Sequence, residues 1–154
     1  MKLAGVSVLT LSGILVGLTL CADIKRKIKI CNQLIKLCEM LLVEFSFRQP
    51  PIIEAVKNII KRCSLDSISF IDDEYFYSVK VPDTPLSKDE NKELAIFIHS
   101  LGKSDLKSQV NTVNSFCEYI KEVKTKYSDM YTSKSKVYLA MGFSLGLVLS
   151  LILV

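Results

Sequence analysis

Apolar residues are concentrated at both ends of the chain, and between the ends they recur at helical spacing. Residues 3–22 are twenty positions without a charge, and residues 137–154 are eighteen more. A helix rises about 1.5 Å per residue, so twenty residues span about 30 Å, the thickness of a bilayer's hydrocarbon core. The pattern predicts a transmembrane helix in residues 1–22, a bundle domain in residues 23–136 and a second transmembrane helix in residues 137–154.

The first apolar segment has an alternative interpretation as a cleaved signal peptide, because Lys2 supplies a basic start. The apolar run exceeds the roughly 7–15 residues of a signal core, and no small-x-small cleavage site follows it. The basic cluster at residues 25–29 also resists translocation. These features favour a retained membrane span.

Apolar positions after the first span alternate at spacings of four and three, which predicts a long amphipathic helix from Ile24 to about Arg48. Pro50 and Pro51 end that helix and suit the first turn of the next. The predicted buried face of the first helix is Ile28, Cys31, Ile35, Cys38, Leu42 and Phe45, widened by Leu34 and Leu41, and that of the second is Ile52, Val56, Ile59, Ile60 and Cys63.

Residues 64–86 are rich in β-branched and aromatic side chains and fit either a hairpin or one short irregular helix. Ser87 and Glu90 then form a capping-box pattern that opens a helix ending at Gly102. The last helix is predicted to start after Ser104 or Asp105 and to continue into the second span. The fold class predicted is all-α, a cytoplasmic antiparallel helical bundle flanked by amino- and carboxyl-terminal transmembrane helices.

Charge placement predicts the orientation of the domain. Residues 23–136 hold 19 of the 20 basic and all 16 acidic side chains, and basic residues cluster beside both spans. Lys and Arg near membrane segments favour the cytoplasmic side, so the domain is expected to face the cytoplasm. This modest basic excess beside the spans favours a membrane partner over nucleic acid.

Residues 66–93 carry eight acidic and three basic side chains, including the consecutive Asp72, Asp73 and Glu74. The acidic stretch suits a basic protein partner or ordinary solubility equally. The three consecutive carboxylates suit a cation or a basic partner, and an ordinary solvated loop is the favoured interpretation. In the second span, Gly142 and Gly146 have the small-xxx-small spacing that lets membrane helices approach closely, a spacing that also arises by chance.

Candidate chemistry is sparse. His99 is the only histidine, the five cysteines form no CxxC pair, and no glycine-rich phosphate loop is present. A catalytic site needs a nucleophile with a base, paired carboxylates, a metal cluster or a phosphate-binding loop. The sequence therefore predicts a protein that is not an enzyme, with no cofactor, no metal site and no small-molecule substrate.

Three strings resemble one family over almost the whole chain. They are EFSFRQPPIIEAV at residues 44–56, LGKSDLKSQ at residues 101–109, and the GFxxG pattern at residues 142–146. They resemble the stage III sporulation protein AB family, whose fold is related to the cytoplasmic domains of type II secretion F-like platform proteins. Residues 64–95 depart from the family in their β-branched and aromatic character.

The resemblance implies a non-enzymatic membrane scaffold in the mother-cell membrane of a sporulating bacterium, within the trans-envelope complex that links mother cell and forespore. It also implies contact with a cytoplasmic sporulation ATPase and with other membrane proteins of that complex. Glu44 and Glu54 of the first string would then be partner contacts or internal ion pairs. A different class, a two-span ligand-sensing module, shares the plan of a bundle between two spans, although such modules usually face outward.

Overall fold

The structure, a computed structural model, describes residues 2–47, 51–71, 73–77 and 80–153. For residues 2–18, 20, 73, 74, 135, 138, 139 and 141–153 the description covers the backbone alone. Five α-helices and one 3₁₀ turn occupy these ranges, and no strand occurs among them. The helices are α1 (Lys2–Phe47), α2 (Ile52–Arg62), α3 (Asp73–Tyr77), α4 (Lys88–Ser100) and α5 (Leu106–Leu153), with the 3₁₀ turn at Asp66–Ile68 between α2 and α3.

Both long helices run through the predicted membrane segments. Helix α1 has 46 residues and α5 has 48, so the backbone of residues 2–22 and 137–153 is helical as predicted. Among the residues that the structure describes, no helix has both the length and the hydropathy that are needed to cross a membrane. That crossing stays a prediction. Gly142 and Gly146 lie in the stretch of α5 described by its backbone alone.

The chain divides into two compact units, and α1 and α5 each run through both. One unit is Lys27–Thr125, and the other is Met1–Arg26 with Lys126–Val154. In the first unit every segment except α3 contributes at least one side chain that is 0–1% exposed. They include Cys31, Leu34, Leu37, Cys38 and Leu41 of α1, Val56 and Ile59 of α2, Ile68 of the 3₁₀ turn, Leu94 and Ile98 of α4, and Val113 and Ile120 of α5.

Helices α1 and α5 pack antiparallel in this unit. The Cys38 thiol is hydrogen-bonded to that of Cys117, and seven residues earlier Cys31 lies within the electrostatic influence of Lys124, seven residues after Cys117. Moving backwards along α1 therefore moves forwards along α5. Antiparallel packing was predicted, and the described residues show it.

The buried face of α1 is centred differently from the prediction. Ile28, Ile35 and Leu42 are only half-buried. The fully buried positions include Leu37, which the prediction omitted. The reason is that α1 packs on two sides. It meets α5 through Cys38, while on another side its Gln33 Oε1 accepts a hydrogen bond from the Ser67 backbone N–H at 2.8 Å.

Residues 64–86 form short helical pieces, so the hairpin alternative is wrong for the residues described there. Ile68, Ile71 and Phe76 are buried and hold the 3₁₀ turn and α3 against the bundle. The Phe70 and Tyr75 rings meet edge to face, with centroids 5.4 Å apart. The aromatic and β-branched residues of this segment are therefore used for burial against the bundle and not for pairing between strands.

Helix α4 begins at the predicted capping box. Ser87 Oγ accepts from the Glu90 N–H at 3.3 Å, and Glu90 Oε2 accepts from the Ser87 N–H at 2.9 Å. The buried Asn91 side chain donates to the carbonyls of Thr84 and Leu86, both at 3.2 Å, and accepts from Thr84 Oγ1 at 2.6 Å. These bonds satisfy the polar groups of the loop before α4, as burial requires.

Three cysteines line the contact between α1 and the rest of the core as neutral thiols. Burial raises the pKa of Cys31 to about 11, and the nearby Glu90 carboxylate adds to the rise. Burial also raises the pKa of Cys38 far above its ordinary value, with a contribution from the Cys117 thiol. The pKa of Cys117 is raised by burial as well. These residues are core packing groups, as was predicted for Cys31 and Cys38.

The raised thiol pKa values predict a loss of stability at alkaline pH. A thiol that ionises near pH 9.0 when unfolded, and only near pH 11 when folded, binds more protons in the native state between those values, so stability falls as pH rises. At pH 10 the loss is about 1 kcal/mol for each of Cys31 and Cys38. We expect the melting temperature of the full chain in detergent, followed by circular dichroism, to fall by about 4–8 °C more between pH 8 and pH 10 than that of Cys31→Ala/Cys38→Ala.

The control for this experiment is Val56→Ala, which opens a cavity at an equally buried position without removing an ionisable group. It should lower the melting temperature at every pH and keep the wild-type slope. Equal slopes for the wild type and the double cysteine variant would contradict the assignment of the alkaline loss to the thiols.

Candidate partner-binding groove

A groove of about 360 Å³ lies where the end of α1, the start of α2 and the start of α5 meet. We call it the α2–α5 groove. It lies within the Lys27–Thr125 unit. Its lining residues are Phe45, Pro51, Ile52, Ile53, Gly102, Leu106 and Gln109. Every one of them belongs to the EFSFRQPPIIEAV string or to the LGKSDLKSQ string. The groove is therefore the place where two strings about fifty residues apart come together.

Gly102 forms the tightest contact of the groove. Its φ is +78°, a left-handed conformation that side chains other than glycine rarely adopt. A Cβ built at this position would lie 2.8 Å from Ile52 Cγ2. Both the backbone conformation and the close approach of α2 therefore require glycine here. The prediction of Gly102 as a helix-ending glycine is confirmed, with the second reason added by the fold.

The opposite wall is fixed by the cap of α5. Asp105 Oδ1 accepts from the Ser108 hydroxyl at 2.7 Å and Asp105 Oδ2 from the Ser108 N–H at 3.3 Å, and these bonds hold the pKa of Asp105 below its usual value. Gln109 Nε2 donates to the Ser104 carbonyl at 2.7 Å. The cap sets where α5 begins, as predicted, and so positions Leu106 in the groove.

The α2 wall begins at Pro51, whose carbonyl accepts from the Ala55 N–H at 3.0 Å. Proline at this point stops α1 from continuing and starts α2 without losing a helical hydrogen bond. Ile52 and Ile53 follow in the first turn, both half-buried. The partial exposure of two isoleucines at a helix start gives the groove an apolar wall.

The chemistry that the groove offers is apolar. Its lining, as far as the structure describes it, contains five hydrocarbon side chains, a glycine and the Gln109 amide, and no ionisable group. Such a surface can receive apolar side chains of another protein, and the amide can add a hydrogen bond. Phe47, two residues after Phe45, is 84% exposed at the end of α1, which adds apolar surface in the same string.

Of the predicted partner-binding residues, Glu44 is in an internal ion pair. Its Oε1 lies 3.3 Å from Arg62 Nη2 of α2, with 26% of the Glu44 side chain exposed. This is the internal alternative that the sequence left open. Glu54 lies exposed in the first turn of α2, where the helix dipole favours a carboxylate.

The acidic trio is only partly described. Asp72 lies outside the described residues, while Asp73 and Glu74 open α3 and are described by their backbone alone. Their role as partner contacts stays a prediction. His99 is half-buried near the end of α4, and the described residues contain no group of three or more potential metal ligands.

The groove residues themselves were missed as site candidates by the sequence reasoning. Phe45 was predicted to be buried and is buried, while Ile52, predicted on the buried face of α2, is half-buried; both also line the groove. Their signal was present in the two strings that carry the family resemblance. The sequence could not show that the two strings lie next to each other in the folded protein.

Together these features define an all-α bundle protein with an apolar groove built from its two most recognisable strings. The chain belongs to the stage III sporulation protein AB family, whose model matches residues 2–72 and 77–154. The unmatched residues 73–76 are nearly all of α3. Comparisons with curated proteins and with solved structures found no match. Membership makes this a sporulation protein of stage III.

The close contact at Gly102 predicts that adding a single methyl group there strongly lowers the stability of the fold. Gly102→Ala should cost about 1–2 kcal/mol for the left-handed backbone and about 1–3 kcal/mol for the overlap with Ile52. The melting temperature of the full chain in detergent should fall by about 5–15 °C. In an Ile52→Ala background the same change should cost only the backbone part.

Lys103→Ala is the matched control, since Lys103 is the exposed neighbour of Gly102 and should leave the melting temperature within about 2 °C. If Gly102→Ala cost the same with Ile52 and with Ala at position 52, the close approach would contribute nothing.

Proposed function

We propose that this chain is a non-enzymatic membrane scaffold of the trans-envelope sporulation complex, and that it contacts a cytoplasmic ATPase through the α2–α5 groove. The observation that carries this proposal is the composition of the groove. Its described lining comes entirely from the two strings that resemble the family, and none of those described residues is ionisable. A surface of this kind serves protein contact better than chemistry.

The placement of charged residues around the groove also supports a role in protein contact. Glu54 lies exposed one residue after the groove residue Ile53, and Lys103 lies exposed one residue after Gly102. Polar groups around an apolar centre are the usual arrangement of a protein interface. Glu44, by contrast, is held by Arg62 and contributes to the seating of α1 on α2.

The membrane part of the proposal rests on the two apolar ends and on the helical backbone that runs through both. The chain would lie in the mother-cell membrane with residues 23–136 facing the cytoplasm, where an ATPase could reach the groove. Other membrane proteins of the complex would meet the two spans, with Gly142 and Gly146 as the proposed packing positions.

Capture of the ATPase by the full chain tests the groove. Tagged wild-type chain, purified from membranes in mild detergent, should co-purify with the ATPase encoded beside it. Ile53→Asp should lower the captured amount at least tenfold, because it places a charge on the apolar wall. Ile96→Asp is the matched control, since Ile96 is 60% exposed on α4 away from the groove lining, and it should capture normally.

The ion pair is tested in the same assay by exchanging its charges. Glu44→Arg should weaken the seating of α1 on α2, and Glu44→Arg/Arg62→Glu should restore both the melting temperature and capture if the pair is internal. Restored stability without restored capture would make Glu44 a partner contact. Failure of the wild-type chain to capture the ATPase would overturn the proposed contact itself.

The orientation of the domain separates the scaffold from a ligand sensor. Lys80→Cys, an exposed loop position, introduced with Cys21→Ser and Cys63→Ser, gives one accessible thiol beside three buried ones. A membrane-impermeant maleimide should label it only after the cells are permeabilised. Labelling in intact cells would place the domain outside and favour the sensor.

A further inference from the structure

Where the unit of residues 1–26 and 126–154 has described side chains, α1 and α5 meet through a lysine and a tyrosine. Lys25 Nζ lies 5.4 Å from the centroid of the Tyr131 ring. Lys25 is exposed and Tyr131 is half-buried. The lysine is therefore anchored by its ring contact while its ammonium remains accessible, since a cation over an aromatic face keeps part of its hydration.

A second cation lies one helical turn from the same ring. Lys134 is three residues after Tyr131 on α5 and exposed, so the two side chains are neighbours on one face of the helix. Lys25 of α1 and Lys134 of α5 are thus both neighbours of the tyrosine. The tyrosine also carries a phenol hydroxyl, which is a hydrogen-bond donor.

Neither lysine has a carboxylate at a helical neighbour position. Positions three and four before Lys134 are Tyr131 and Met130, and those before Lys25 are Ala22 and Cys21. Arg26 differs, because its guanidinium lies 3.7 Å from the Asp23 carboxylate one turn away. Two cations without a carboxylate one helical turn away, both beside a tyrosine that carries a hydroxyl donor, suit an anion with several acceptor oxygens.

We infer that Lys25, Tyr131 and Lys134 bind the phosphate of an anionic phospholipid headgroup. This inference rests on the proposed membrane location, because the first uncharged position of the carboxyl-terminal run is Val137, three residues after Lys134. At that depth the lipid phosphate lies beside the site, and tyrosine and lysine are the residues that favour this interfacial layer. A zwitterionic headgroup satisfies the site less well, since its own cation is repelled by the lysines.

Lipid retention by the full chain tests the site. Purified chain in detergent is mixed with phosphatidylglycerol or phosphatidylcholine, and the bound lipid is counted by native mass spectrometry. The wild type should prefer phosphatidylglycerol. Lys25→Gln/Lys134→Gln should weaken phosphatidylglycerol binding about 25-fold, at roughly fivefold for each lysine near the membrane surface. Tyr131→Phe keeps the ring under Lys25 and removes only the hydroxyl. It should weaken phosphatidylglycerol binding severalfold.

Lys103→Gln/Lys107→Gln removes the same charge from the turn before α5 and the start of α5, and should bind phosphatidylglycerol as the wild type does. If the two double variants bind it equally, the site is overturned in favour of a general charge effect. An added arm uses inorganic phosphate at 100-fold excess over lipid. Displacement of the lipid by phosphate would show a site for a soluble anion and overturn the lipid assignment.

Membrane fractionation of the same cells separates this inference from the proposed function. Chain found in the membrane fraction but without preference for phosphatidylglycerol overturns the lipid site alone. Chain absent from the membrane fraction overturns the membrane location and the lipid site together.

Discussion

The close approach of the turn at Gly102 to the first turn of α2 is the contact on which the groove depends. Ile52 Cγ2 occupies the space where any side chain at position 102 would begin, so the turn cannot move closer and cannot carry a larger residue. The left-handed backbone at Gly102 ends α4 and turns the chain towards α5. Since Asp105 then caps α5 three residues later, the positions of Leu106 and Gln109 follow from that one turn.

Local signals in the sequence predicted the helix ends well. The capping box of Ser87 and Glu90, the start of α5 at Asp105 and the stop at Gly102 all depend on residues within four positions of one another. Such interactions form whatever the rest of the chain does, because their partners are already neighbours. They need no knowledge of the fold.

The parts that could not be predicted depend on residues far apart in the sequence. The buried face of α1 extends to Leu37 because Gln33 and Glu44 meet segments that periodicity alone cannot place. Helix α3 has five residues, too few to be stable by itself, and forms because Phe76 is buried. The groove was missed for the same reason, since its two walls are separate strings until Gly102 and Ile52 meet.

The two proposed surfaces use different physical forces and can therefore be lost independently. None of the described residues that line the α2–α5 groove is ionisable, so the binding proposed there depends on apolar burial and responds weakly to salt. The pair of Lys25 and Lys134 acts by charge, and its attraction to a headgroup is screened as ionic strength rises, because the Debye length falls from about 10 Å at 0.1 M to about 3 Å at 1 M. On these proposals the protein contact can persist while lipid contacts exchange, because the close approach of Gly102 to Ile52 does not involve charge.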